Sequence, residues 1–441
     1  MRLLCVMTLL FGGFCCAAND EISKSEHQSV WSSDVLVRAL TYFENISSDV
    51  NNQLYQSVIH FENETKFNPD LKFLGRIEFA ADPFSKSSEE QTFVDLPEFN
   101  VKYRSEPLIF KIGTDIYNWG VTDGINPVDV VNTDNYFDPI HPKKLGAASL
   151  SISGVFSWFE FDAIYIPLAR SPKLPGSHSR WLPREIYYKS TPSQSDEYLL
   201  PDTFEYSLKY QSELNDAKKN NGAVRLQAHL ENLDLALYGY SGVAAMPIIT
   251  AIISGNLVQA FPVYTVQVNS DVELDLQDYR VLMGGASFVK TLNSWQVKGE
   301  SVWSQPSQGA TASKGWITTS VFALEKTWQT NSDLSLVSIL QYSTSKQGGI
   351  SSNGLDSLSH FFDSNWMLGG HIGWRDRDTV TLFYSQDVLQ QAWLGDLRYE
   401  HTLRDNFTAG GSLNLLGGPQ SSPLGVFSKN KSASLDVKLS F

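Results

Sequence analysis

Residues 117–139 concentrate hard oxygen groups: Asp123, Asp129, Asp134 and Asp138 stand among Asn126, Asn132 and Asn135, with no basic side chain before Lys143. Three kinds of chemistry suit that pattern. Asp-Gly, Asn-Pro and Asp-Pro steps build rigid turns, because their short polar side chains bond to nearby backbone amides. Carboxylates can also coordinate a divalent cation, but the spacing misses the Asp-x-Asp-x-Asp-Gly pattern of an EF-hand loop, and no metal is assigned. In the third reading part of the stretch folds inward and gives an aqueous passage a negative wall. The next polar stretch has the opposite sign. Arg170, Lys173, Arg180 and Arg184 are spread among Pro167, Pro172, Pro175 and Pro183, with no acid before Glu185, and proline stiffens such a loop by fixing φ. If Asp123, Asp129 and Asp134 face Arg170, Lys173 and Arg180 across a lumen, the two loops set a transverse field that selects solutes by charge. The competing reading is that the loops pair with each other or with charged lipopolysaccharide.

Enzyme chemistry finds less support, and no catalytic residue or cofactor is assigned. The string Gly239-Tyr240-Ser241-Gly242-Val243 fails the Gly-x-Ser-x-Gly elbow at its last position. The eight histidines form no zinc-type cluster. His229 with Ser207 or Ser241 could meet across a barrel wall, as in a lipid-acting enzyme, but His229 shares its strand face with Arg225 and Gln227 and reads as a plain lumen histidine. A formal charge of −14 and a pI near 5.0 argue against a nucleic-acid partner, which needs a basic face.

These residues must be positioned by strands. Arg2, the apolar run Leu3–Phe14 and Cys15-Cys16-Ala17-Ala18 have the layout of an export signal, with cleavage expected after Ala18. All three cysteines lie in that leader, so the exported chain is expected to carry none. Beyond it no uncharged apolar run reaches the roughly 18 residues of a spanning helix; the nearest, 243–261, is broken by Pro247, Gly255 and Asn256. What recurs is alternation with period two. At the C-terminus Ala433, Leu435, Val437, Leu439 and Phe441 alternate with Ser432, Ser434, Asp436, Lys438 and Ser440, one face greasy and the other wet. A chain that stops on an aromatic after such a strand resembles the C-terminal signal of Gram-negative outer-membrane barrels, with Leu439 and Phe441 as the expected contacts for the barrel-assembly machinery. Walking back, similar strands flank tight turns at 404–406, 375–378, 331–333, 291–294, 231–232, 104–107 and 68–70. Counted from Phe441, all these turns fall on one side, the periplasmic one, and the long connections (81–92, 119–144, 168–221, 241–277, 305–315, 345–362 and 417–429) fall on the other. Residues 203–212 are a further candidate strand.

The run Trp119-Gly120-Val121-Thr122-Asp123, followed by Asn126-Pro127-Val128-Asp129, resembles an uncharacterised porin-like family of Gram-negative outer-membrane barrels; the likeness continues through Tyr165-Ile166-Pro167-Leu168 and the Pro- and Arg-bearing loop. The resemblance implies an outer-membrane barrel with no established reaction. In that reading Trp119, Gly120, Asn126 and Pro127 shape the loop.

The expected fold is therefore all-β, a transmembrane antiparallel barrel of about 18 strands, or about 16, with short periplasmic turns and long extracellular loops. Residues 1–18 form the leader, 19–34 a periplasmic segment and 35–441 the barrel. The expected function is passive passage of a small solute, selected by the charged loops. The apolar stretch 243–261 supports a second reading, a hydrophobic-solute channel, with a plug or packed helix in the barrel mouth as its structural alternative. A lipid-acting enzyme and an adhesive or structural barrel are the other readings. The expected partners are outer-membrane lipid and lipopolysaccharide; alternation is common to monomeric and trimeric barrels and leaves the oligomeric state open.

Overall fold

The computed structural model describes residues 28–47, 49–183, 196–201, 203–212, 214–260, 264–308, 313–331, 333–350, 364–420 and 422–441. Eighteen antiparallel strands close on themselves. The first half of the wall comprises β1 (Gln28–Tyr42), β2 (Gln53–Lys66), β3 (Leu71–Ala81), β4 (Thr92–Ser105) and β5 (Leu108–Asp115). A loop carrying the two-residue ribbon β6 (Asp134–Asn135) and β7 (Lys143–Lys144) follows, and the wall resumes with β8 (Ala147–Val155) and β9 (Phe159–Leu168). Two strands then leave the wall, β10 (Asp196–Leu199) and β11 (Glu205–Tyr210), before β12 (Lys219–Leu230) and β13 (Leu233–Val243) rejoin it. Next come β14 (Ile248–Gln259) and β15 (Tyr264–Gln277), again outside the wall. The remainder is β16 (Arg280–Leu292), β17 (Trp295–Gln308), β18 (Ser313–Asn331), β19 (Leu334–Ile350), β20 (Ser364–Trp374), β21 (Asp378–Asp387), β22 (Trp393–Arg404), β23 (Phe407–Gly417) and β24 (Ser432–Ser440). The single α-turn among the described residues is Ser88–Gln91.

Closure is made by β1 against β24, in register from Asp34 opposite Ser440 to Tyr42 opposite Ser432. Inside the seam the Arg38 Nε donates to the Asp436 carboxylate at 2.6 Å. Beyond it the Phe441 N–H donates to the Ser33 carbonyl at 2.8 Å, so the last residue is fastened to the first strand. Period-two alternation sorts the side chains: Leu435, Val437, Leu439 and Phe441 are exposed on the outer face, as are Ile112, Val224, Leu237 and Phe322, while the residues between them face the lumen. A closed antiparallel sheet with an apolar outer belt satisfies every ladder amide internally, which a lipid environment demands.

The connections divide as expected. Those after Lys66, Ser105, Val155, Leu230, Leu292, Asn331, Trp374 and Arg404 are tight and share an end with the start of β1 and the end of β24, here the turn end. Asn232 and Asn293 take positive φ there (58° and 55°), as two-residue hairpins require and asparagine tolerates. The long connections, 116–146, 169–218 and 244–279, leave the opposite, loop end.

Several expectations need correction. The wall starts at Gln28, so residues 28–34 belong to β1 rather than to a segment ahead of the barrel. Strands β17 to β19 run into stretches expected to be loops, with β18 and β19 paired as far as Ser313 opposite Ile350. The candidate strand in 203–212 exists as β11, but it lies off the wall, parallel to β15. Residues 248–259 form neither plug nor helix. They are strand β14, antiparallel to β15 and exposed from Thr250 to Gln259. β10, β11, β14 and β15 together make a small separate sheet, packed through Phe204, Val268, Val272 and Leu274 onto Leu182.

The seam gives a direct test. In residues 19–441, which contain no cysteine, Ala39→Cys/Leu435→Cys places thiols directly opposite across β1 and β24, within disulfide reach. Oxidation should join the two ends and alter mobility on a denaturing gel. The diagonal pair Val37→Cys/Leu435→Cys should not, and equal cross-linking of both pairs would contradict the register.

Candidate functional site

The loop from Ile116 to Gly146 turns inward and is held across the lumen. Asn132, almost fully buried, organises its base: the side-chain oxygen accepts from Tyr117 N–H at 2.8 Å, and the amide donates to the carbonyls of Asp115 and Leu145, both at 2.9 Å. One asparagine thereby ties both ends of the loop to its middle. Trp119, Val128 and Val131 then pack onto lumen-facing Ile164, Ala223, Tyr238, Met283 and Val302, so the loop's apolar side is sealed against β9 to β17. Trp119 is 3% exposed and its ring lies 5.8 Å from that of Tyr238. The Trp-Gly and Asn-Pro steps are parts of one turn. The Asn126 amide donates to the Trp119 carbonyl at 2.6 Å, and Gly120 has φ of 93° with the Asn126 side chain where a Cβ would stand. Only glycine fits there without strain.

Beyond this turn the loop is gripped by the far wall. Glu300 of β17, buried, accepts the consecutive N–H groups of Val121 and Thr122, the latter at 2.7 Å. Gln341 of β19 donates to the Ile125 carbonyl at 3.3 Å, and Gly124 abuts Met367 of β20 so closely that a Cβ would overlap it. The returning limb reaches the other side: His141 bridges Asp138 of the loop (3.0 Å) and Asp396 of β22 (3.1 Å), and Lys143 reaches Glu78 of β3 at 3.2 Å.

The acids singled out from sequence do not form a bare negative wall. Asp123 pairs with Lys298 of β17 at 3.2 Å, and Lys298 also holds Glu325 at 2.6 Å. Asp129 pairs with Lys144 of its own loop at 2.5 Å. The Asp134 carboxylate accepts from the Tyr136 hydroxyl at 3.2 Å. Burial pushes Asp129 and Asp134 above the usual carboxylate range, against the pull of Lys144 and Tyr136 respectively. Asp123, about half exposed, is the one of the three that faces water most fully. Since Asp123, Asp129 and Asp134 each have a different partner, they do not converge on a common centre.

The basic loop is also committed elsewhere. Arg170 pairs with Asp95 of β4 at 2.6 Å. Lys173 joins the two loops through its backbone: its N–H donates to the Asp134 carbonyl (3.0 Å), and its carbonyl accepts from Tyr136 (2.7 Å). Arg180, proposed as pore-lining, is 3% exposed. Its guanidinium donates to Asn52, Asn430 and the carbonyls of Glu44 and Lys429, and lies over the Tyr42 ring at 4.3 Å. It staples three loop-end connections together and does not line the lumen. Arg184 lies outside the described residues. The two loops therefore meet by backbone; of the residues named, Asp123 and Arg170 pair with the wall and Asp129 pairs within its own loop.

His229 lies on the lumen face with Asp234 (2.8 Å) and Glu160 (3.5 Å). Ser241, opposite Gly222 on the outer face, cannot meet it through the wall. Ser207 belongs to β11, off the wall. The residues that sequence reasoning missed are the wall partners Glu300, Lys298, Asp396 and Tyr238. Alternation marks each as lumen-facing, but nothing local reveals which loop atom it meets.

No family model matches the chain, and no curated protein matches it. Among solved structures the barrel is similar to Pseudomonas aeruginosa OccK5 (OpdH), at 9% identity over 94% of this chain and 98% of that one, with a TM-score of 0.50. It is similar also to OccK9 (OpdG) of the same organism, at 8% identity, the same coverages and a TM-score of 0.50. A BenF-like porin from Pseudomonas fluorescens covers the chain to the same extent at 10% identity and a TM-score of 0.48. At such identities the likeness is one of fold alone, a closed antiparallel β-barrel.

Two outcomes test the loop's attachment. Burial opposes a charged His141, yet Asp138 and Asp396 raise it to about 9, and His141, with Arg38, brings Asp138 below its usual range despite burial. The clamp is thus fully present below the ordinary histidine pKa near 6.5 and is lost as pH rises through about 9, a difference on the order of 3 kcal/mol. Hydrogen-exchange protection of residues 138–143, corrected for intrinsic rate, should fall between pH 7 and 10; in His141→Asn it should be low and flat. Trp119→Ala should cost about 3–5 kcal/mol of loop-plus-barrel stability in denaturant, from the lost aromatic burial, and a change below 1 kcal/mol would place Trp119 outside the packed core.

Proposed function

We propose that this protein is an outer-membrane channel through which a small solute passes passively, with the loop 116–146 and the charged wall residues around it setting selectivity. The observation that carries this reading is the state of the charged side chains inside the barrel. Arg76 and Glu62, facing inward from β3 and β2, are 38% and 35% exposed, and Lys72 of β3 is 34% exposed. Water therefore reaches the β2–β3 side of the lumen, whereas the loop's apolar face occupies the β9–β17 side. An interior with ionised, wetted walls and an inward loop suits a polar passage. The apolar strand β14 pairs with β15 in a sheet separate from the wall, so it is not among the wetted wall residues on which this reading rests. On this reading the turn end is periplasmic, the chain is exported with its leader removed, and Leu439 and Phe441 present the C-terminal strand to the assembly machinery.

The test is conductance of the refolded barrel in a planar bilayer, with folding checked by heat-modifiable gel mobility. Stepwise currents are expected. Glu300→Ala, which frees the Val121 and Thr122 amides, should raise the step size or its noise. Asp123→Asn and Lys298→Gln should shift the reversal potential in a salt gradient in opposite directions. A folded barrel that stays silent both as wild type and with residues 119–143 replaced by a short Gly/Ser linker would sink the channel reading.

A further inference from the structure

Cross-strand register places four lysines in one unbroken row on the lumen face: Lys66 of β2 opposite Lys72 of β3, Lys72 opposite Lys102 of β4, and Lys102 opposite Lys111 of β5. Directly opposed residues have Cβ atoms about 5 Å apart, and like charges there are destabilising. The neighbouring lumen rows show how this chain ordinarily handles that problem. One reads Glu62, Arg76, Glu98 and another Asp34, His60, Glu78 across adjacent strands, the latter continuing to Asp95, and each sets a base between two acids, with close pairs such as Arg76 with Glu62 at 2.7 Å and His60 with Asp34 and Glu78 at 2.9 Å. The lysine row sets no acid between any two of its four members.

Local carboxylates compensate it only in part. Glu64 serves Lys66 at 3.6 Å and Lys72 at 2.7 Å, and Asp115 serves Lys111. Lys102, at the centre of the row and part-exposed, has no ion-pair partner among the described residues. The row starts beside the turn that joins β2 to β3 and runs to Lys111. There Ser151 of β8 continues it with a hydroxyl, and Asp115 begins the constricting loop.

We infer that Lys72, Lys102 and Lys111 form a binding rung for an oxyanion, a phosphate or carboxylate group carried by the permeating solute, on the turn-end side of the loop. Ammonium groups set along one row supply donors without geometric demand, as suits a transient site from which the anion must leave again. The rung rests on the channel reading and gives it a substrate class: anionic solutes. A bound oxyanion would supply the missing negative member of the row.

The test uses the refolded full barrel in a phosphate-free detergent, with inorganic phosphate and succinate as separate probes. Calorimetric titration should show millimolar or tighter binding of at least one probe to wild type, weakened about tenfold in Lys102→Gln and abolished in Lys102→Glu. A preference for phosphate over succinate, or the reverse, identifies the group the solute carries. In the bilayer, the same probe added on the turn-end side should interrupt the current, and Lys102→Gln should move the reversal potential in a potassium chloride gradient toward potassium. Currents that neither probe nor substitution alters would overturn the rung while leaving the channel standing. Lys102-dependent binding by a barrel that never conducts would preserve the rung and reject the channel.

Discussion

Everything in this molecule depends on the closure of one sheet. Without a water-exposed alternative, the amides of a strand in lipid must be paired on both sides, and the seam between β1 and β24 is where the last unpaired edges meet. Once that seam is fixed, the tilt and register of all eighteen strands follow, and with them the parity that decides which side chain faces lipid and which faces the lumen. The pairing of Phe441 with Ser33 shows how far this goes: even the terminal residue is part of the ladder.

Closure creates an interior too wide for side chains to fill, and the loop 116–146 occupies part of it. Its attachment is asymmetric for a physical reason. The wall from β9 to β17 presents Ile164, Ala223, Tyr238, Met283 and Val302, an apolar lumen surface that would be costly to leave in water and that Trp119, Val128 and Val131 cover. The remaining contacts are polar and point-like: Glu300 on two amides, Lys298 on Asp123, and His141 between two aspartates. The loop is consequently a packed element on one side and a set of electrostatic tethers on the other.

Charge inside the barrel is arranged by the same register. In the rows Glu62, Arg76, Glu98 and Asp34, His60, Glu78 acids and bases meet across strands, so ionised groups there are stabilised without leaving water. Near the turn end this pattern gives way to four successive lysines. The loop acids Asp123, Asp129 and Asp138 are matched by Lys298, Lys144 and His141, so these three do not answer that excess.

The strand pattern was legible in the sequence because lipid and lumen impose period two on every spanning segment. The terminal strand Ser432–Ser440, the turns at Asn232 and Asn293 and the wall of eighteen strands all follow from that alternation and from turn chemistry. The Asp-Gly and Asn-Pro steps of the acidic loop also pointed to a rigid folded turn, the one that Asn126 closes onto Trp119. Alternation gives no information about distant partners, however. Glu300 lies 178 residues from Thr122 in the chain, and Arg180 is separated by 250 from the Asn430 that buries it. The sequence by itself determined which residues span and which face inward; the tertiary structure alone decided that Arg180 is a buried staple, that β10, β11, β14 and β15 leave the wall, and that Lys72, Lys102 and Lys111 stand side by side. The reason is that hydrophobic period is a property of one strand, whereas charge pairing is a property of register between strands.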